Sequence, residues 1–275
     1  SHDGIVSTNL FRLCAALAAG LCAVSCSKER VWNAPDWRPQ QPAQRIVAGS
    51  VLAVESLLEV ISHDRIVGVH KIAADTRYSL VADQAKGLPL LGASPEQLLS
   101  VRPDLVLVDA FTRAETLALL AAANVPVVRT RDPHCFEDIE ANLRLLGRVT
   151  HLDNEVDELI AATTKTLESM RQAGKGLSEW RVLSLDGALH TYGEGSLFDV
   201  MTRTTGARNL AAEHGVGAFR KLDIEEVLAW RPDALVLSGE APADGALPEW
   251  VTQCPGLDLL PCVAAGRIIY VPGRL

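Results

Sequence analysis

Two stretches decide the fold: Glu96–Val108 reads EQLLSVRPDLVLV, and Glu225–Leu237 reads EEVLAWRPDALVL. Glu, Leu, Arg, Pro and Asp recur at the same spacing 129 positions on. Each stretch predicts a short amphipathic helix, a break at Pro-Asp and an unbroken apolar strand. A strand apolar at every position is one covered on both faces, as in a parallel sheet wrapped by helices. A unit used twice predicts two lobes of one architecture.

The flanks repeat the alternation. Arg45–Ala48, Arg65–Val69, Leu88–Leu91 and Val125–Val128 are short β-rich runs. Between them Ser50 is placed to cap a helix over Val51–Ile61, Ser94 one opened by Pro95, and Thr112 one running to about Ala123. Phe136–Val149 and Leu152–Gln172 carry few helix breakers until Gly174. Strand–helix alternation restarts with Arg181–Asp186, Ser196–Thr205, Ile224–Trp230, Ala234–Ser238 and Arg267–Val271. Such alternation implies α/β lobes with central, Rossmann-like parallel sheets.

The chain has 275 residues, 48% of them hydrophobic, which excludes wholesale disorder. The net charge is −8 and the Lys residues are scattered, which argues against a nucleic-acid partner. Leu13–Ser25 (LCAALAAGLCAVS) is uncharged, too short to span a membrane well, and of signal-peptide length. It ends in Ala23-Val24-Ser25-Cys26, which resembles a bacterial lipobox, with Ala23 where Leu is usual; an N-terminal core helix or an unlipidated signal are the alternatives. The expected layout is a signal peptide over 1–25, a Pro-bearing polar tether over 26–44, an N-terminal lobe over 45–150, a helical link over 151–176 and a C-terminal lobe over 177–275. Cys26 is the candidate lipid anchor, and the expected location is the periplasm or the outer face of the cytoplasmic membrane. Cys254 and Cys262 flank PGLDLLP, and an oxidising compartment predicts a local disulfide there; buried reduced thiols are the alternative.

The runs RIVAGSVLAVESLLEVISHDRIVGVH, SPEQLLSVRPDLVLVDAFTRAETLALLAAANVPVV, YGEGSLFDVMTRTTGARNLAAEHG, LDIEEVLAWRPDALVLSG and VAAGRIIYVPG, in this order, resemble the class III periplasmic binding proteins. These are substrate-binding components of ABC importers for ferric siderophores, cobalamin and haem. The resemblance implies two lobes bridged by one long helix, a ligand cleft between them, and a monomer that meets a permease dimer. It also implies that one Glu on each lobe docks on the permease; by motif position these are Glu96 and Glu225. First-turn Glu residues favoured by the helix dipole are the plain alternative.

Ligands of open α/β sheets bind beyond the carboxyl ends of the strands. The polar and aromatic residues placed there are His70, Tyr78, Phe111, Arg113, Arg131, His190, Tyr192, Arg220, Glu240 and Trp250. Aromatics cover a macrocycle and Arg pairs with carboxylates or phosphates. A ferric siderophore or a corrinoid suits this mixture, and haem suits it if His70 or Tyr78 with His190 or Tyr192 ligates iron. A bare Zn or Mn site from His70, His134 and His190, with Glu240 as a fourth ligand, is an alternative. Catalysis finds little support: G-x-S-x-G, H-E-x-x-H and a P-loop are absent, and Gly193-Glu194-Gly195 lacks the third glycine of a dinucleotide fingerprint. An α/β enzyme acting on a nucleotide or sugar is the remaining contrary reading. No covalently bound cofactor is expected beyond the lipid.

Overall fold

The structure, a computed structural model, describes residues 37–239, 241–242 and 245–271. The expected signal peptide, Cys26, the first part of the tether and Glu240 lie outside the described residues. The first sheet holds β1 (Ile46–Ala48), β2 (Ile66–His70), β3 (Leu90–Leu91), β4 (Leu105–Val108) and β5 (Val127–Arg129). Its order is β3-β2-β1-β4-β5 and every pairing is parallel. The helices α1 (Val51–Leu58), α2 (Ala82–Ala85), α3 (Pro95–Ser100) and α4 (Ala114–Ala122) return the chain between strands. Then α5 (Phe136–Thr150) and α6 (Asp153–Ala173) lead to the second sheet.

That sheet consists of β6 (Arg181–Leu185), β8 (Arg208–Asn209), β10 (Ala234–Ser238) and β11 (Ile268–Val271), parallel in the order β11-β10-β6-β8. The helices here are α7 (Leu197–Thr204), α8 (Leu210–Glu213), α9 (Ile224–Trp230), α10 (Glu249–Gln253) and α11 (Pro261–Ala264). A separate antiparallel pair, β7 (His190–Thr191) with β9 (Arg220–Lys221), was not expected. Its strands are two residues long and 28 residues apart, too short to show alternation.

The reading of LVLV as a doubly covered strand holds. Leu105 and Leu107 of β4 enter one core, with Ile46, Ala48, Leu57 and Val149. Val106 and Val108 enter the other, with Leu98, Leu117 and Leu120. All four are buried, each worth roughly 1.5–3 kcal/mol relative to exposure. In the second lobe Leu183, Leu185, Leu235 and Leu237 build one core. Among the described residues the opposite face carries Val182, Ala207 and Ala234, with Phe198 and Val236 against them. Ile269 and Met201 remain about half exposed there.

The repeated Arg-Pro-Asp is a clamp. Asp104 accepts the Arg45 amide at 2.9 Å and the Gln44 amide at 2.8 Å, while its own amide donates to the Arg45 carbonyl at 2.9 Å. Arg45 Nε donates to the Arg102 carbonyl at 2.9 Å. In the second lobe Asp233 accepts the Arg181 amide at 3.0 Å and its Nε at 3.1 Å, and the Asp233 amide donates to the Arg181 carbonyl at 2.8 Å. Arg181 Nη2 donates to the Arg231 carbonyl at 3.2 Å. Arg102 and Arg231 both take a left-handed backbone with φ of 50°. In each lobe the left-handed Arg that follows the helix thus turns its carbonyl toward the Arg of the neighbouring strand.

Thr112 does not cap α4: its hydroxyl donates to Asp109, and Arg113 holds the cap position without a side-chain bond. The expected Cys254–Cys262 disulfide is corrected too, for both are free thiols. Cys262 is buried among Leu235 and Val263, and Cys254 packs against the same core, so both serve as apolar side chains. Burial pushes both thiols above their ordinary range.

Asp104→Ala and Asp233→Ala should each lower stability by about 1–3 kcal/mol, because strand amides lose charged acceptors; urea midpoints measure this. Partial burial pushes the Asp233 carboxyl up, but Arg181 outweighs it and holds it below the ordinary carboxylate range. A depressed acid stabilises above its unfolded pKa and loses that contribution as pH falls through the folded value. The stability gap between the wild type and Asp233→Asn should therefore be constant above about pH 5 and shrink below pH 4.

Candidate functional site

In the first lobe a cavity of about 660 Å³ opens at the carboxyl ends of β1, β2 and β4. Gly49 lets the chain leave β1 there, since a side chain would press on the Leu107 carbonyl at 3.0 Å. Ser50 follows and caps α1, accepting the Ala53 amide at 3.3 Å. His70, Phe111 and Arg113, all expected near the ligand, line this cavity together with Asp109 and Thr116. Asp109 accepts the Phe111 amide at 3.0 Å, which presents the Phe111 ring 75% exposed. His70 accepts the Ile72 amide at Nδ1, at 3.3 Å, so the neutral ring carries its proton on Nε2. Burial lowers the His70 pKa against the opposing pull of Asp109.

Tyr78 is exposed and lies under the Arg77 guanidinium at 5.4 Å. Arg77 is bound to Asp75 at 2.6 Å and holds that carboxyl down to about 2. Arg131 is exposed, and Asn142 brackets its backbone with bonds of 2.9 Å to the amide and the carbonyl.

The second lobe builds its site on the turn after β6. Asp186 accepts the amides of Ala188 and His190, each at 2.9 Å, and meets His190 Nδ1 at 2.9 Å. Partial burial raises Asp186, but these bonds outweigh it and hold the carboxyl below its ordinary range. The Phe219 ring stacks on His190 at 4.9 Å and 25°, and Tyr192 tilts against Phe219 at 5.2 Å. Beneath them Ser184 contacts the Thr191 hydroxyl at 3.2 Å and accepts the Tyr192 amide at 3.1 Å. Asn209 donates to the Tyr192 carbonyl at 3.0 Å. The β7–β9 pair therefore lifts two aromatic rings and one imidazole from a buried polar base.

A second cavity of about 1030 Å³ runs along the thinly covered face of the second sheet, past Val182, Val236 and Ile269. His134 of the loop after β5 lines it together with Tyr192 and Phe219. His134 Nε2 lies 3.6 Å from Asp132.

Two further expected ligand residues have partners within the second lobe. Arg220 is tied to Glu226 at 2.9 Å at the start of α9, with Trp230 6.0 Å away. Trp250 packs on the second-lobe core under Gly187. The alternative metal set is not gathered: among the described residues no group of three His, Cys, Asp or Glu stands close enough to hold a metal ion. Asp186 was not foreseen, although Asp186-Gly187 is a turn signal directly after a strand.

Glu96 and Glu225 sit at the same helical position. Ser94 and Asp223 are N-caps, Pro95 and Ile224 come first, and the two Glu come second. Both carboxylates are exposed, and neither has a hydrogen bond or ion pair among the described residues. Glu226, not Glu225, closes the capping box of α9.

A family model described as "Periplasmic binding protein" matches residues 46–275. Among curated proteins, the molybdate-binding protein MolA of Haemophilus influenzae is 24% identical over 169 residues, 54% of this chain. The chain spans about half the length of that relative, 48%. Among solved structures, the apo periplasmic haem-binding protein RhuT of Roseiflexus sp. RS-1 superposes with a TM-score of 0.70 at 24% identity, covering 84% of this chain and 89% of that one. The periplasmic vitamin B12-binding protein BtuF of Vibrio cholerae superposes with a TM-score of 0.66 at 18% identity, covering 84% and 88%.

Gly193 leaves no room for a side chain against the Val216 carbonyl, whereas Gly217 opposite it faces open space. Gly193→Ala should cost about 1–3 kcal/mol through overpacking, and Gly217→Ala should stay within about 0.5 kcal/mol. Thermal denaturation of the two variants checks this.

Proposed function

The chain belongs to the periplasmic binding protein family, and from that premise we propose that it is the substrate-binding component of an ABC importer and captures a metal chelate between its lobes. The family is one of binding proteins rather than enzymes. The observation that carries the ligand reading is the raised cluster of His190, Tyr192 and Phe219 at the carboxyl end of the second sheet. Stacked rings beside an imidazole offer apolar contact and one nitrogen donor, which suits an iron or cobalt chelate. Ferric siderophores, corrinoids and haem are the candidate cargoes. The scattered His70, His134 and His190 count against a bare Zn or Mn ion. Phe111 and Arg113 supply the opposing, first-lobe contacts, and Arg131 and Tyr78 are exposed near the strand ends.

Delivery uses Glu96 and Glu225. Two exposed carboxylates at matching positions of a repeated unit, with no ion pair among the described residues, suit a permease dimer with paired Arg residues. The protein is a monomer that works on the periplasmic side, held by a lipid on Cys26.

A thermal-shift screen with ferric siderophores, cobalamins, haem and Zn²⁺ tests the cargo: at 100 times Kd a ligand adds about 2.7 kcal/mol. A shift with Zn²⁺ alone would overturn the chelate reading. The double variant Glu96→Lys/Glu225→Lys should abolish stimulation of the permease ATPase in reconstituted vesicles while ligand affinity stays within twofold. Loss of ligand binding instead would remove the docking role.

A further inference from the structure

The two histidines at the strand ends of the two lobes carry opposite tautomers. At His70 the backbone amide of Ile72 donates to Nδ1, which places the ring proton on Nε2. That nitrogen is a hydrogen-bond donor and has no lone pair to give a metal. At His190 the neighbour of Nδ1 is the Asp186 carboxylate at 2.9 Å, and a carboxylate only accepts. In the neutral ring Nδ1 therefore carries the proton and Nε2 keeps its lone pair. No partner occupies Nε2 among the described residues, and the side chain is 30% exposed. Phe219 covers the ring from one side at 4.9 Å, and Asp186 is itself fixed by the Ala188 and His190 amides, so tautomer and ring rotation are both set. His134 lacks this arrangement: its Nε2 faces Asp132 at 3.6 Å and its side chain is 59% exposed.

We propose that Asp186 is a positioning residue that makes His190 Nε2 the protein's donor to the metal of the captured chelate. This rests on the chelate reading above and narrows it. A chelator that fills all six positions of its metal leaves nothing for His190 to bind. A planar iron or cobalt macrocycle with an open axial position does; it would stand roughly perpendicular to the imidazole, so Phe219, only 25° from that imidazole, would meet it with its edge. A carboxylate behind a ligating imidazole raises its basicity and fixes its direction, and loss of such a partner costs about 10–100-fold in metal affinity.

The test uses the wild type, Asp186→Asn and His190→Ala. Long-range ¹H–¹⁵N correlation of histidine-labelled apo protein reads the tautomer directly. His190 should be protonated on Nδ1 in the wild type. In Asp186→Asn the amide keeps its oxygen on the backbone amides and offers its N–H to Nδ1, so the proton should move to Nε2. Ferric protoporphyrin IX, aquocobalamin and a hexadentate ferric trihydroxamate are then titrated with absorbance detection. For the porphyrin or the corrinoid the wild type should show the band shift of axial nitrogen ligation. Both variants should lose that shift and about 10–100-fold in affinity, while circular dichroism reports an intact fold. An Nε2–H tautomer in the wild type, or a band shift that survives in both variants, would overturn the assignment and leave the chelate reading standing. Tight binding of the trihydroxamate alone would do the same. Failure of the wild type to bind any of the three would overturn both.

Discussion

A parallel strand that is apolar on both faces has a register problem, and one aspartate in each lobe solves it. In β4 the side chains alternate between two cores that are equally greasy, so hydrophobic burial alone tolerates a slip by one residue. Asp104 removes the ambiguity by seizing the amide of Arg45 as β1 begins, which sets Ile46 opposite Leu105. Asp233 does the same to Arg181 and sets Val182 opposite Ala234. Proline before each aspartate stops the helix, and the left-handed Arg before the proline turns its carbonyl to the strand's guanidinium. Every later strand pairs outward from these two, so the positions of all strand ends, and with them the site, follow from the clamps.

The lobes then diverge. The first sheet is packed on both faces, and its strand ends open on a small cavity ringed by helix starts. The second is thickly packed on one face only. It adds the β7–β9 pair, which raises His190, Tyr192 and Phe219 above a buried layer of Ser184, Thr191 and Asn209. That layer is rigid because its hydroxyls and amide are mutually satisfied, and a satisfied buried network holds its geometry. The first lobe thus carries a loop-borne aromatic and His70 at its strand ends, and the second carries His190 over a stiff base.

Between them α6 runs for 21 residues with Val156 as its single buried side chain. Gly147 admits Val156 closely, and Arg144 bridges to Asp157 at 2.6 Å, which fastens the start of α6 to α5. At the far end Gly174 is pressed against the Thr205 carbonyl, where a larger residue has no room. A continuous helix with both ends fastened resists hinging.

The sequence by itself determined the strand–helix alternation, the repeated clamp unit, the N-caps at Ser50 and Ser94 and the two matching Glu, because each is a local pattern of period, cap or break. It also placed His70, Phe111, Arg113, His190 and Tyr192 at strand ends. It misread Cys254 and Cys262 as a disulfide, because their surroundings are a core built from distant segments. Only the tertiary structure decided which nitrogen of each histidine is free, since that depends on whether an amide or a carboxylate is folded against Nδ1. Only it paired β7 with β9, because two-residue strands carry no periodicity and gain their stability from the layer beneath them.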